Sequence, residues 1–364
     1  MTTDHHAFPE YHQTATNFGS RMAELRRDPL VQRWVIISDK RGKRPSDFKR
    51  TQSSKEEDIK QGPCAFCPGF EEGTGPETFA VREGGEPNAS DWRVRVIVNK
   101  FPAVSQDFPC GSAVGEGTVF GECRLPAFGS HEVVIETPNH DTPFVDLPVS
   151  HICDVLKAYQ ERMKIFRKDS RFKFCQVFKN RGNKAGASMT HSHSQILALP
   201  IITHNSEDEL RGAKEYYDTN GERCIFCDIV AHETVSKIRI IDENEQFITL
   251  TPYAPRFPYE VWLIPKRHSS NYESVDKDEL QSMAAILKLI LQKMDVAFSQ
   301  PPFNYVIQTA PLDPANWDLP YYHWYLRLVP HLVTLGGFEL GSGCYINPVG
   351  PEKAAEFLRN IKLS

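Results

Sequence analysis

The chain of 364 residues runs one series of features twice, and this repeat constrains its fold more than any other property. One copy opens with Cys64-Ala-Phe-Cys67, the other with Cys224-Ile-Phe-Cys227. After the first pair come β-rich stretches, "RVRVIVNKFPAV" and "SHEVVIETPNH", the latter ending at His140. Ile152, Val155, Leu156, Tyr159, Met163 and Phe166 then recur at helical spacing, followed by the strand-like "FKFCQVFKN", a glycine-containing loop and a strand bearing His191. After the second pair the order returns: "QFITLTPYAP", "YEVWLIPKRH" ending at His268, and a helical face of Leu280, Met283, Leu287, Leu291, Met294 and Phe298. The strand "FNYVIQT", a loop, and "YYHWYLRLVP" with His323 complete it. Apolar residues three and four apart mark a helix face, whereas strand side chains alternate between two faces. A duplicated series of this kind predicts an α+β protein of two tandem halves, antiparallel sheets with helices packed on them, related by a pseudo-twofold. The halves are expected at 21–204 and 205–364, after a polar leader over 1–20 that reads as disordered.

Each copy brings two cysteines and two histidines from separated elements. Cys64, Cys67, His140 and His191 make one set, and Cys224, Cys227, His268 and His323 the other. Thiolate and imidazole suit Zn2+, and four protein ligands leave no open position, so two structural zinc sites are expected. His131 is a rival for His140, which is preferred because it stands at the strand end. Nine cysteines, an odd number in a long chain, are unlike a secreted disulfide scaffold. The N-terminus carries neither the basic nor the apolar region of a secretory signal, and no apolar run approaches the roughly 20 residues of a membrane span. A cytoplasmic protein without a membrane partner is expected. The net charge of −5 also disfavours a nucleic-acid partner.

The copies differ in one place. The first has His191-Ser192-His193, and the second His323-Trp324-Tyr325. If His191 and His323 are matched ligands, the position two residues on is an imidazole in one half and a phenol in the other, which points to one working site. His191, His193 and Gln195 at strand spacing share a face, roughly 7 Å apart from one to the next. A metal holding His191 would give His193 a rigid mount as nucleophile. Upstream, Asn180 and the small residues Gly186, Ala187 and Ser188 can bring backbone N–H groups and a hydroxyl to an anion. The basic cluster containing Arg41, Lys43 and Arg44 could supply further phosphate contacts.

"HSHSQ", the upstream "FKNRGNKAGASMT", "RGKRPSDF" and the Cys-x2-Cys pairs together resemble the galactose-1-phosphate uridylyltransferase family of the histidine-triad superfamily, over essentially residues 24 to 364. The family motif is His-Pro-His-(Gly/Ala)-Gln; here Ser192 and Ser194 replace the proline and the small residue. That form, with "GGFELGSGCYINP" at 336–348, resembles the ADP-glucose phosphorylase branch, whose members move AMP from ADP-glucose to phosphate. The resemblance implies two histidine-triad-like halves, the second with a degenerate site, and double displacement through a nucleotidyl-His193, with Gln195 bonding the phosphoryl oxygens. It places Asn99 and Phe101 near the nucleotide, Asn180 with the 186–188 turn on the phosphates, and Arg41 and Arg44 beside them. It also implies a homodimer in which Phe338 and Glu339 reach the partner's site. UDP-glucose transfer to galactose 1-phosphate is the alternative. A nucleotide hydrolase is disfavoured by the duplication, and a zinc-stabilised RNA-binding module by the acidic balance.

Overall fold

A computed structural model of the chain describes residues 23–28, 33–37, 64–110, 123–312 and 318–363. The expected leader and Arg41, Lys43 and Arg44 lie outside the described residues. Three short strands, β1 (Glu24–Arg27), β2 (Trp34–Ile37) and β5 (Cys123–Pro126), make a small antiparallel sheet with β1 central.

The main sheet has ten antiparallel strands among the described residues. The first half supplies β3 (Glu77–Arg82), β4 (Trp92–Val98), β6 (Ser130–Ile135), β7 (Phe174–Arg181) and β8 (His193–Leu199). The second supplies β9 (Ile240–Glu243), β10 (Phe247–Leu250), β11 (Val261–Pro265), β12 (Phe303–Gln308) and β13 (Tyr325–Pro330). Their order is β3-β4-β6-β8-β7-β12-β13-β11-β10-β9, so each half reads the same from its own edge inward. The halves join where β7 pairs with β12, Asn180 opposite Asn304. This is the duplication expected from the repeat, fused into one sheet.

Helices α1 (Val149–Arg167) and α4 (Lys277–Phe298) pack against each other on one face of the sheet. The six apolar residues named on α1 are buried; on α4, Leu280, Met283, Leu287, Leu291 and Met294 are buried and Phe298 packs at the edge. Each such side chain stabilises by roughly 1.5–3 kcal/mol on leaving water. A capping box starts α4: the Asp276 carboxylate accepts from Glu279 N at 2.8 Å, and the Glu279 carboxylate from Asp276 N at 3.0 Å. No described helix is long and apolar enough to cross a membrane.

Alternation along β8 sets up the site. Ile196 and Ala198 point into the helix-covered core, whereas His193, Gln195 and Leu197 line a cavity on the opposite face. The remaining helices, α2 (His204–Thr219), α3 (Ile225–Ser236), α5 (Gly337–Ser342) and α6 (Pro351–Arg359), belong to the second half.

Candidate active site and metal clusters

Cys64 and Cys67 lie in a tight turn before β3, closed by the Cys67 N–H donating to the Cys64 carbonyl at 3.0 Å. His140 follows β6 and His191 precedes β8, and the turn brings both thiols to them. Sγ of Cys64 and Cys67 stand 3.6 and 3.7 Å from His191 Nδ1, and Cys67 Sγ 3.5 Å from His140 Nδ1. In the second half Cys227 Sγ is 3.4 Å from His268 Nδ1 and 3.8 Å from His323 Nδ1, with Cys224 completing the set. The four ligand atoms of each cluster lie within 4.8 Å of one another, and each cluster could hold a metal ion. His191 Nε2–H donates to the Thr137 carbonyl at 2.7 Å, and His323 Nε2–H to the Pro265 carbonyl at 2.9 Å. Both bonds leave the Nδ1 lone pair turned to the thiols. Burial and the neighbouring Cys64 push the Cys67 thiol up to about 11, a crowding that a cation would relieve.

The strand β8 begins at His193, so His191 sits in the bend just before it and not on the strand itself. His193 is buried, its ring edge-on to Phe66 with centroids 5.5 Å apart. Its Nδ1–H donates to the His191 carbonyl at 2.8 Å, which leaves the Nε2 lone pair for the cavity side. Burial holds His193 below its ordinary value, and the bond to His191 opposes this only in part, so the ring is neutral near pH 7.

Two cavities, of about 720 and 800 Å³, meet at His193, Asn180, Ser188 and Met189. The first is also lined by Asn99, Phe101, Gly186 and Gln195, the second by Ala187 and the 181–184 loop. Gly186 closes that loop at φ +88°, a left-handed conformation that favours glycine. Phe338 and Glu339, on α5, line neither cavity; Phe338 is exposed and Glu339 accepts from Gly336 N at 3.0 Å.

Two site residues were not singled out as such from the sequence. His131 stands apart from the first cluster and lines the cavity, its Nε2 2.8 Å from Gln195 Oε1. Asn304, from β12 of the other half, donates to Asn180 Oδ1 at 2.7 Å. Strand alternation puts His131 on the face of Val133, which was a readable signal. Asn304 gave none, because its role depends on the pairing across the halves.

Behind His193 a polar network replaces apolar packing. Lys179 and Glu136, 3 % and 0 % exposed, form an ion pair. Lys179 Nζ also donates to the His193 carbonyl at 3.0 Å and to Ser192 Oγ at 3.2 Å. Ser192 donates to Glu136 Oε2 at 2.6 Å, and Ser194 shares a 2.6 Å hydrogen bond with Tyr159, which reaches Tyr305 at 2.7 Å. The two serines that depart from the family motif are thus the residues that tie the strand to this network.

The second half fills the matching space. Val133 pairs with Gln195 between β6 and β8, as Trp262 pairs with Arg327 between β11 and β13. Trp262 lies on Tyr325, centroids 4.6 Å apart, where the first half leaves room. Glu209 of α2 accepts from Tyr325 and Tyr322 at 3.1 and 3.2 Å and closes the position.

Residues 14–203 match the model of the galactose-1-phosphate uridyl transferase N-terminal domain, and residues 209–362 that of its C-terminal domain. The chain belongs to the galactose-1-phosphate uridylyltransferase family. It is a nucleotidyltransferase. An ADP-glucose phosphorylase of Arabidopsis thaliana is 40 % identical over the whole of both chains. A galactose-1-phosphate uridylyltransferase of Thermotoga maritima is 29 % identical over 94 % of this chain and 99 % of its own. The crystal structure of an Arabidopsis thaliana ADP-glucose phosphorylase with bound ADP-glucose superposes with a TM-score of 0.73 at 39 % identity, covering 94 % of this chain and all of that one. A uridylyltransferase structure gives 0.75 at 28 % identity, covering 92 % and 97 %.

Proposed function

We propose that this member of the family converts ADP-glucose and phosphate to glucose 1-phosphate and ADP by double displacement at His193. The observation that carries this is the tautomer of His193. Its Nδ1–H is committed to the His191 carbonyl, so Nε2 offers its lone pair where the two cavities meet. Nε2 attacks the phosphorus bonded to adenosine, the P–O bond to glucose 1-phosphate breaks, and an adenylyl-histidine remains. An oxygen of inorganic phosphate then attacks the same phosphorus, the P–N bond breaks, and ADP leaves with the imidazole restored. Splitting one displacement in two lets each proceed with a poised nucleophile. Gln195 Nε2, Asn180 Nδ2, Ser188 and the 186–188 backbone supply donors to the phosphoryl oxygens, with Arg41, Lys43 and Arg44 adding charge. Asn99 and Phe101 hold the nucleoside in the 720 Å³ cavity. The 40 % identity to an ADP-glucose phosphorylase over full length supports adenine over uracil.

The ion in both clusters is Zn2+. A tetrahedron with Zn–S near 2.3 Å and Zn–N near 2.05 Å has S···N edges of about 3.6 Å, and the five S···N distances given above run from 3.4 to 3.8 Å. Held by four protein ligands, the zinc is structural: it fastens the Cys turn, the end of β6 and the bend before β8. None of the nine cysteines is in a disulfide, which suits a reducing, cytoplasmic setting. Leu340 and Ile346, exposed with Phe338 on the C-terminal segment, support a homodimer in which this segment reaches the partner.

The test is to incubate the protein with ADP-glucose or UDP-glucose labelled in the phosphate next to the nucleoside, then quench. Label from ADP-glucose on wild type but not on His193→Ala, with zinc retained in both, is the expected result. Label from UDP-glucose alone would reassign the donor, and no label from either would sink the double displacement.

A further inference from the structure

An amide donates at one end and accepts at the other, so a pocket amide serves a phosphate only if something fixes which end faces inward. Two hydrogen-bond relays do this at the site, and each is anchored to a backbone group of unambiguous sign.

The first relay starts at the Ala103 N–H, which can only donate. It donates to His131 Nδ1 at 3.1 Å, so the proton of His131 resides on Nε2. His131 Nε2–H then donates to Gln195 Oε1 at 2.8 Å; Asn99 Nδ2, 3.2 Å from the same nitrogen, meets a protonated site and is no donor to it. With its oxygen taken, Gln195 turns its NH2 to the cavity that it lines beside His193. The second relay is anchored at the Ala185 carbonyl, which can only accept. Asn304 Nδ2 donates to it at 2.9 Å and to Asn180 Oδ1 at 2.7 Å, so Asn304 Oδ1 faces the other way and accepts from His331 Nε2. Asn180 therefore turns its NH2 toward Gly186 and the cavity; a Cβ at Gly186 would lie 3.6 Å from Asn180 Nδ2.

We infer that His131 and Asn304 are positioning residues: they fix the polarity of Gln195 and Asn180, so that both amides present NH2 to the phosphoryl group carried by His193. This rests on the nucleotidyl-transfer reading. The two relays come from opposite halves of the molecule, so the second half, though it lacks a nucleophile, sets one donor of the first half's site.

The full-length zinc-loaded protein carries the test, with ADP-glucose labelled as above and inorganic phosphate as acceptor. Single-turnover labelling and steady-state kcat and KM are measured for His131→Gln and His131→Glu, each with Gln195 intact and with Gln195→Ala. Gln at 131 keeps a donor toward Gln195, and activity should stay within about fivefold of the parent, the worth of one neutral hydrogen bond. Glu at 131 accepts instead, turns the Gln195 oxygen to the phosphate, and should lower kcat on the order of 100-fold. That loss should shrink below about threefold with Gln195→Ala, because no amide is left to misorient. Equal losses for the two His131 variants, or a loss undiminished by Gln195→Ala, would overturn the inference. Asn304→Asp, with and without Asn180→Ala, repeats the comparison on the second relay and decides it if His131→Glu does not fold. A wild type that takes up no label, or a Gln195→Ala variant as fast as the parent, overturns the transfer reading itself. A Gln195→Ala variant that is slow while the His131 pair is equal overturns only the relay.

Discussion

The buried ion pair beneath His193 gives a prediction with a definite size and a definite control. Lys179→Met removes the cation facing Glu136, whose side chain has no exposure to solvent. Taking one partner from a buried pair costs about 3–5 kcal/mol when the other charge stays behind. The hydroxyls of Ser192 and Tyr159, within 2.6 and 3.3 Å of the Glu136 carboxylate, remain as donors to it and hold the cost to the lower part of that range. Losing the bond from Lys179 to the His193 carbonyl adds about 1 kcal/mol. A destabilisation of about 4–5 kcal/mol at pH 7 follows.

Urea unfolding of the zinc-loaded protein at pH 7 measures this. Lys179→Met with Glu136→Gln carries no buried charge and should show a loss of about 1–2 kcal/mol, what remains when only neutral hydrogen bonds are given up. A double variant as unstable as the single one, or a single variant within about 1 kcal/mol of the parent, would refute the assignment of the cost to an orphaned carboxylate.

Three other outcomes are expected. Metal analysis by plasma emission should find two zinc ions per chain and one in Cys224→Ser; a parent count near one would remove the second site. Ser194→Ala takes away the 2.6 Å bond to Tyr159, which keeps its contacts with Tyr305 and Glu136, and should cost about 1 kcal/mol in urea unfolding. No change there would mean that the network closes without the serine. Gly186→Ala places a side chain at φ +88° against Asn180 and should cost about 1–3 kcal/mol in stability. It should also raise the KM for ADP-glucose severalfold, and an unchanged KM would argue that this turn does not touch the substrate.

The parts of the fold that were legible in the sequence were those decided by local periodicity and by repetition. Ile152, Val155, Leu156, Tyr159, Met163 and Phe166 fall on one helix face by spacing alone, and that face is buried. The two Cys–His clusters were legible because one pattern appears twice in the same order, so that one copy supports the other. What escaped depends on register between distant strands. His131 looked like a spare metal ligand: alternation puts it on the face of Val133, but nothing local says that β6 lies beside β8 with Val133 opposite Gln195. Asn304 carries no signal at all until β12 is seen beside β7. Ser192 and Ser194 were visible as departures from a motif, but their reason lies in Glu136, Lys179 and Tyr159, which come from three other elements.

The comparison of the halves separates two demands that the first half meets at once. Holding a metal needs four ligands at fixed distances, and both halves keep them, with the same Nε2-to-carbonyl bond behind His191 and His323. Chemistry needs an open space beside the residue two positions on, and only the first half keeps that. Changing His193 to its counterpart's tyrosine would not by itself make the halves alike, because Trp262 and Glu209 fill the space from two further elements. Loss of the second site therefore involves at least three positions, and the residues that fill it serve packing. A metal in the second cluster would tie the ends of β11 and β13 together. Those strands support β12, and β12 presents Asn304 to the candidate site. What the second half's sheet does for the first thus accounts for a duplicated ligand framework beside a single open site.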